Sequence, residues 1–211
     1  MKTEIQTVRR EDQSVSAWSG GTTTQLAIWP PDADYKQRNF KWRLSSARVD
    51  LEESTFTSLP GIHRLIMILE GQVRLVHEGH REITLNAFEQ DSFEGDWKTT
   101  SFGKCVDFNL MTAEGCQGCI EPLKGHAERV LFDLPRRGGE SYEGFYCLSP
   151  KGTEVALREA KPDGTRETFQ TKLERGDFIL FLQREPFPEV VTLSLKNLSE
   201  DRVLGVYASI R

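Results

Sequence analysis

The apolar residues of this chain come in short runs broken by turn residues about every eight to twelve positions, with hardly any helical periodicity. That punctuation limits the fold to strands. The longest apolar runs, at residues 65–69 and 178–182, are five residues each, short enough for a strand buried on both faces and too short for a helix. Pro60-Gly61 leads into the first run and Glu70-Gly71 is expected to turn the chain. Val73 and Leu75 then alternate with Gln72 and Arg74 up to a tip at Glu78-Gly79, and Ile83 and Leu85 begin the return of a hairpin. The second half offers Tyr142-Glu143-Gly144-Phe145-Tyr146-Cys147-Leu148, then Val155-Ala156-Leu157, then the turn and strand Glu174-Arg175-Gly176-Asp177-Phe178-Ile179-Leu180-Phe181. The last of these is matched in the first half near Gln90-Asp91-Ser92-Phe93. We expect an all-β chain of two barrels, residues 1–118 and 119–211, joined through the small polar stretch Thr112-Ala113-Glu114-Gly115-Cys116-Gln117-Gly118-Cys119.

At 211 residues the chain is long enough for one large or two small domains with cores of their own. Its net charge of -5 is spread over interspersed acids and bases, which leaves no basic stripe for nucleic acid and no basic amphipathic helix for a membrane surface. The first thirteen residues are polar and charged, so neither export nor membrane spanning is expected. Four cysteines are too few for a disulfide framework and fit a reducing cytoplasm. Cys116-x-x-Cys119 is half of a structural zinc site. The remaining soft ligands, Cys105, Cys147 and His126, form no second tight pair, so the motif reads as a reduced loop and no cofactor is expected.

A metal held inside a barrel of this kind needs imidazoles and a carboxylate converging from neighbouring strands. The buried run offers only His63 followed by Arg64, and a guanidinium has no lone pair to give a cation. No metal is expected. Strand alternation puts Trp42, Leu44 and Ser46 on one face and Arg43, Ser45 and Ala47 on the other. It likewise sets Asp107 and Asn109 against Val106, Phe108 and Leu110. Each polar set faces either water or a polar cavity. Gly20-Gly21 and the following threonines, Thr23 among them, either bring main-chain N–H groups close to a carboxylate or form a tight turn entering a strand. His77 and His80 flank the hairpin tip and are expected in solvent, whereas Trp97 reads as a lid or as core.

Trp18-Ser19-Gly20-Gly21-Thr22-Thr23-Thr24-Gln25-Leu26, Trp42-Arg43-Leu44-Ser45-Ser46-Ala47, Phe56 with Leu59-Pro60-Gly61, Leu69-Glu70-Gly71, Phe93-Glu94-Gly95-Asp96-Trp97 and Asp107-Phe108-Asn109-Leu110-Met111 follow one another in that order. With these motifs the chain resembles the HutD/Ves family, strongly over the first half and by architecture over the second. The resemblance implies a double-stranded β-helix, that is, an RmlC-like cupin jelly roll, with two barrels in one chain as in a bicupin. It also implies occurrence in some bacteria beside histidine-utilisation genes, with no established catalytic activity. Trp18-Ser19-Gly20-Gly21 lacks the Asn that many members carry in a longer loop, so no role of that Asn transfers.

The resemblance turns the polar faces inward. It groups Thr23, Arg43, Ser45, His63, Arg64, Asp107 and Asn109 as a ligand-binding set for a small anionic metabolite, with Asp107 orienting a guanidinium and Asn109 offering a donor and an acceptor. The expected function is non-enzymatic carboxylate binding that regulates histidine utilisation or a stress response. The alternative is a metal-independent isomerase or epimerase with His63 as base and Asp107 orienting it. A third, lesser reading is a structural or interaction module whose exposed sheet edges pair in a homodimer.

Overall fold

The computed structural model describes residues 3–124, 129–134, 139–161, 164–184 and 191–211, and among these the only helical element is a single 3-10 turn, Arg10–Asp12. The all-β expectation holds. The chain divides into two compact units, Gln13–Cys119 and a second made of Met1–Asp12 with Ile120–Arg211. β1 (Thr3–Val8) accordingly pairs within the second unit rather than opening the first barrel, as a division at 118 and 119 would have it. Its alternation fits any sheet edge, so local pattern could not choose its partner.

The Gln13–Cys119 unit contains β2 (Ser14–Trp18), β3 (Gly21–Trp29), β4 (Trp42–Val49), β5 (Glu53–Thr55), β6 (Ile62–His77), β7 (Arg81–Asn86), β8 (Gln90–Glu94), β9 (Thr99–Phe102) and β10 (Cys105–Ala113). They run in the order β2-β3-β4-β10-β6-β9-β5, with β7 and β8 also hydrogen-bonded to β6. The sixteen residues of β6 serve two stretches of sheet: the first part pairs with β10 and β8, the last part with β7 and β9. Glu70-Gly71 is therefore a bend inside one strand and not the expected turn. There the β6–β10 register slips between Val106 and Asp107, leaving Leu69 as the extra residue of a bulge. Gly71 sits at φ 87°, and a Cβ on it would lie 2.6 Å from the Lys104 carbonyl oxygen. Ile66, Ile68, Val73, Leu75, Leu85 and Phe93 fill the core between the two stretches.

The inward alternation of Val73 and Leu75 continues to His77, which is 1% exposed and not in solvent as expected. Its Nδ1 lies 2.8 Å from Thr99 Oγ1 and its Nε2 2.9 Å from Asp91 Oδ2, a carboxylate that Arg81 also reaches. Only His80 is at the surface, stacked on Trp97 at 3.8 Å between centroids. Trp97 itself packs on the core.

The second unit adds β11 (Gly118–Lys124), β12 (Arg129–Asp133), β13 (Ser141–Cys147), β14 (Thr153–Lys161), β15 (Gly164–Leu173), β16 (Phe178–Gln183), β17 (Val191–Asn197) and β18 (Val203–Ile210). Its sheets have the orders β1-β16-β13-β18-β11 and β12-β17-β14-β15, and Phe145, Val155, Leu157, Ile179, Phe181, Leu193 and Leu204 form its core. Asp177, in the Gly176-Asp177 turn before β16, is 2% exposed. It accepts hydrogen bonds from Arg9 Nη1 at 2.7 Å and from the main-chain N–H groups of Arg10 and Glu174 at 2.9 and 3.0 Å. His126, one of the spare zinc ligands weighed above, lies outside the described residues.

Candidate functional site

The Gln13–Cys119 unit has an open-mouthed cavity of about 530 Å³ whose polar wall is a three-rung ladder across β4, β10 and β6. Cross-strand partners share a face, so the register fixes which side chains meet. Ala47, Asp107 and Ile68 form one rung, Ser45, Asn109 and Ile66 the next, and Arg43, Met111 and Arg64 the third. β3 extends the upper rungs with Thr23 opposite Ala47 and Gln25 opposite Ser45. Trp18 at the end of β2, Ser19 from the β2–β3 turn, Tyr35 from the β3–β4 connection, and Leu51 with residues 53–57 add to the lining.

The two arginines are held differently. Arg43 donates from Nε to Gln25 Oε1 at 2.9 Å and from Nη1 to Ser45 Oγ at 3.2 Å, and its guanidinium lies 4.4 Å from the Tyr35 ring centroid. Arg64 lies over Phe56 at 4.6 Å and over Phe93 at 5.3 Å, and is 7% exposed. Its buried Nε has no hydrogen-bond partner. Burial lowers both guanidinium pKa values, that of Arg64 to about 10, with Tyr35 and Asp107 opposing the shift. Both remain cations at neutral pH.

Asp107 is 3% exposed, and burial drives its carboxyl up to about 7, against the Ala47 N–H, the Arg64 charge and the Asn109 amide. Its Oδ1 accepts from Ala47 N at 3.2 Å and from Asn109 Nδ2 at 2.5 Å. Asn109 Oδ1 is buried without a donor. The arrangement is a pocket with one buried guanidinium whose donors are unspent, a second partly spent, and a buried acid poised to titrate near neutrality. An anion entering it would gain charge-assisted hydrogen bonds at low dielectric.

Of the residues singled out from sequence, Thr23, Arg43, Ser45, Arg64, Asp107 and Asn109 line this cavity. His63 does not. Successive residues of a strand point to opposite faces, so with Arg64 inward His63 faces away, where its Nδ1 lies 2.9 Å from Glu94 Oε1. The proposed pairing of His63 with Asp107 is thereby lost. Nor does Asp107 orient a guanidinium through an ion pair; Gln25 and Ser45 hold Arg43, and aromatic rings hold Arg64. Gly20 and Gly21 belong to the tight β2–β3 turn. A Cβ on Gly20 would lie 2.0 Å from the Trp18 ring, and one on Gly21 1.9 Å from the Arg48 carbonyl oxygen. Gln25, Tyr35 and Phe56 escaped sequence reasoning as site residues. Gln25 carried a signal, since it shares the face of Thr23, whereas Tyr35 sits in a connection with no periodicity to read.

Among the described residues no three His, Cys, Asp or Glu side chains come together as a set that could hold a metal. A family profile for HutD matches residues 10–192. The chain belongs to the HutD family. The HutD-family chain is similar in structure to PA5104 of Pseudomonas aeruginosa PAO1, a conserved protein of unknown function, at 22% identity and TM-score 0.73 over 99% of this chain and 98% of that one. HutD from Pseudomonas fluorescens SBW25, solved in a formate condition, matches at 20% identity and TM-score 0.68 over 98% of both chains. The bacterial pirin YhhW from Escherichia coli, solved in complex with nickel(II), matches at 10% identity and TM-score 0.62, again over 98% of both. At these identities the likeness is one of fold, and it makes this HutD-family protein an all-β bicupin.

Proposed function

We propose that this protein is a non-enzymatic binder of a small carboxylate, held in the cavity of the Gln13–Cys119 unit, and that occupancy of the cavity regulates the use of histidine. The observation that carries the reading is Arg64: a buried cation, lying over two aromatic rings, with an unpartnered donor in a cavity of metabolite size. A HutD structure from Pseudomonas fluorescens obtained in a formate condition is in keeping with a carboxylate ligand. Arg43 provides a second cation, but with Nε and Nη1 engaged it has fewer donors to offer. The competing isomerase reading has lost its base, because His63 lies on the other face of β6.

A thermal-shift screen over carboxylate metabolites, including urocanate and formylated glutamate, tests the reading. A ligand at a hundred times its Kd adds about 2.7 kcal/mol to stability. Replacement of Arg64 by Lys keeps the charge and loses the planar fork, so affinity for the best hit should fall by about 1.5–3 kcal/mol in calorimetric titration, and Arg64→Ala should lose more. If no carboxylate shifts the transition, or Arg64→Ala binds as well as the natural protein, the cavity is not an anion site.

A further inference from the structure

We infer that the cavity takes up a proton together with its carboxylate ligand, the proton resting on Asp107 so that the aspartic acid donates to the bound anion. The inference rests on the carboxylate reading above and concerns how the same site is regulated.

The geometry sets two acids against one another. Asp107 and Arg64 share the cavity on neighbouring strands, yet among the described residues they form no ion pair, and Arg64 Nε and Asn109 Oδ1 both remain buried without partners. A ligand that accepts from Arg64 shares the cavity with Asp107, which lines the same wall two rungs along. Asp107 Oδ1 is saturated by Ala47 N and Asn109 Nδ2, and among the described residues no donor serves its other oxygen. A second carboxylate brought beside it sets two like charges close together, and their repulsion favours a proton on one of them. One proton shared between the two turns repulsion into a hydrogen bond. Asp107 is suited to hold it, because burial has already brought its carboxyl to about 7. The proton comes from solvent, and no bond other than O–H is made.

The groups facing Asp107 are few. Cys105 lies two residues away on β10, with its thiol pushed up to about 12 by burial and by Asp107, which leaves it protonated throughout. Arg43 faces it from β4 and Arg64 from β6, both cationic. Tyr35, from the connection before β4, and Glu53, from β5, line the same cavity. β3 contributes Thr23, which does not titrate.

The test is the affinity for formate, with acetate as a second probe, measured by calorimetric titration of the natural protein from about pH 6 to about pH 9 in amine buffers that do not compete for the arginines. Linkage of one proton predicts an affinity steady to about pH 7 that then weakens about tenfold per pH unit. Asp107→Asn keeps an oxygen for Ala47 and an amide to donate, so its affinity should stay level across the range. An affinity of the natural protein that is flat from end to end overturns the inference and leaves the carboxylate reading standing. A slope that persists in Asp107→Asn also overturns it, because the proton then rests on a group other than Asp107. Failure of both probes to bind at any pH sinks the carboxylate reading and this inference with it.

Discussion

Asp107 shows how a single buried acid makes stability depend on pH. Its ordinary carboxyl value is 3.8 and its value in the fold about 7, so between these limits the folded protein holds a proton that the unfolded chain has released. The favourable state is fully present below about pH 4 and is lost as pH rises through about 7. Over some three pKa units this amounts to roughly 4 kcal/mol. The ligand-free protein should therefore lose urea resistance between about pH 4 and about pH 7, and Asp107→Asn should flatten that loss, being more stable than the natural protein at the upper end; equal midpoints there would contradict the burial argument. Period-two reading of β10 and β4 was enough to place Asp107 with Asn109, and Arg43 with Ser45, on common faces. It could not tell cavity from solvent, because that depends on β5, Phe56 and Tyr35, which are far along the chain or in loops. The same rule argued against His63 from the outset: beside an inward Arg64, an adjacent residue has no room on that face.

β6 carries the organisation of the cavity, since the bulge at Leu69 and the left-handed Gly71 let one strand belong to two stretches of sheet. An alanine at Gly71 meets both a positive φ and the Lys104 carbonyl oxygen at 2.6 Å from its Cβ. We expect Gly71→Ala to cost about 1–3 kcal/mol in denaturant midpoint. Gly79→Ala is the control: the tip also has positive φ, at 79°, but an added Cβ meets nothing within 4 Å, so the loss should stay near 1 kcal/mol. Equal losses at the two glycines would mean that the bend relaxes freely. The hairpin tip was legible because Glu78-Gly79 sits between two alternating runs that pair locally. Glu70-Gly71 carries the same two residues and was misread as a turn; its pairing partner is β10, more than thirty residues on, and no local window contains it. His77 was misplaced for a related reason, since counting alternation only to Leu75 stopped one step short of it.

At the level of the whole molecule, the segment before Gln13 closes a sheet in the unit formed with Ile120–Arg211, through β1 on β16 and through Arg9 on Asp177. Burial alone would raise the Asp177 carboxyl, but Arg9 and the main-chain N–H groups of Glu174 and Arg10 outweigh it and hold the carboxyl below its ordinary range. That contribution is present above the ordinary carboxyl range and disappears as pH falls. Because Arg9 is 37% exposed and screened by solvent, Arg9→Ala should cost only about 1 kcal/mol at neutral pH, and less near pH 3, in thermal denaturation. A cost that grows on acidification would contradict the pairing. Composition and turn spacing gave the all-β class and two barrels, while the crossing of the first strand was invisible for want of any signal tying residues 3–8 to residues 178–183. The pairing joins Val8 to Phe178 and Thr3 to Gln183, among the longest sequence separations in the molecule. On a ribosome adding about 5–20 residues per second, β1 is made on the order of ten to thirty seconds before its partner strand exists. For that interval the Gln13–Cys119 barrel can fold with an unpaired strand hanging from its start, and the growing chain must keep that edge from other strands until β16 emerges.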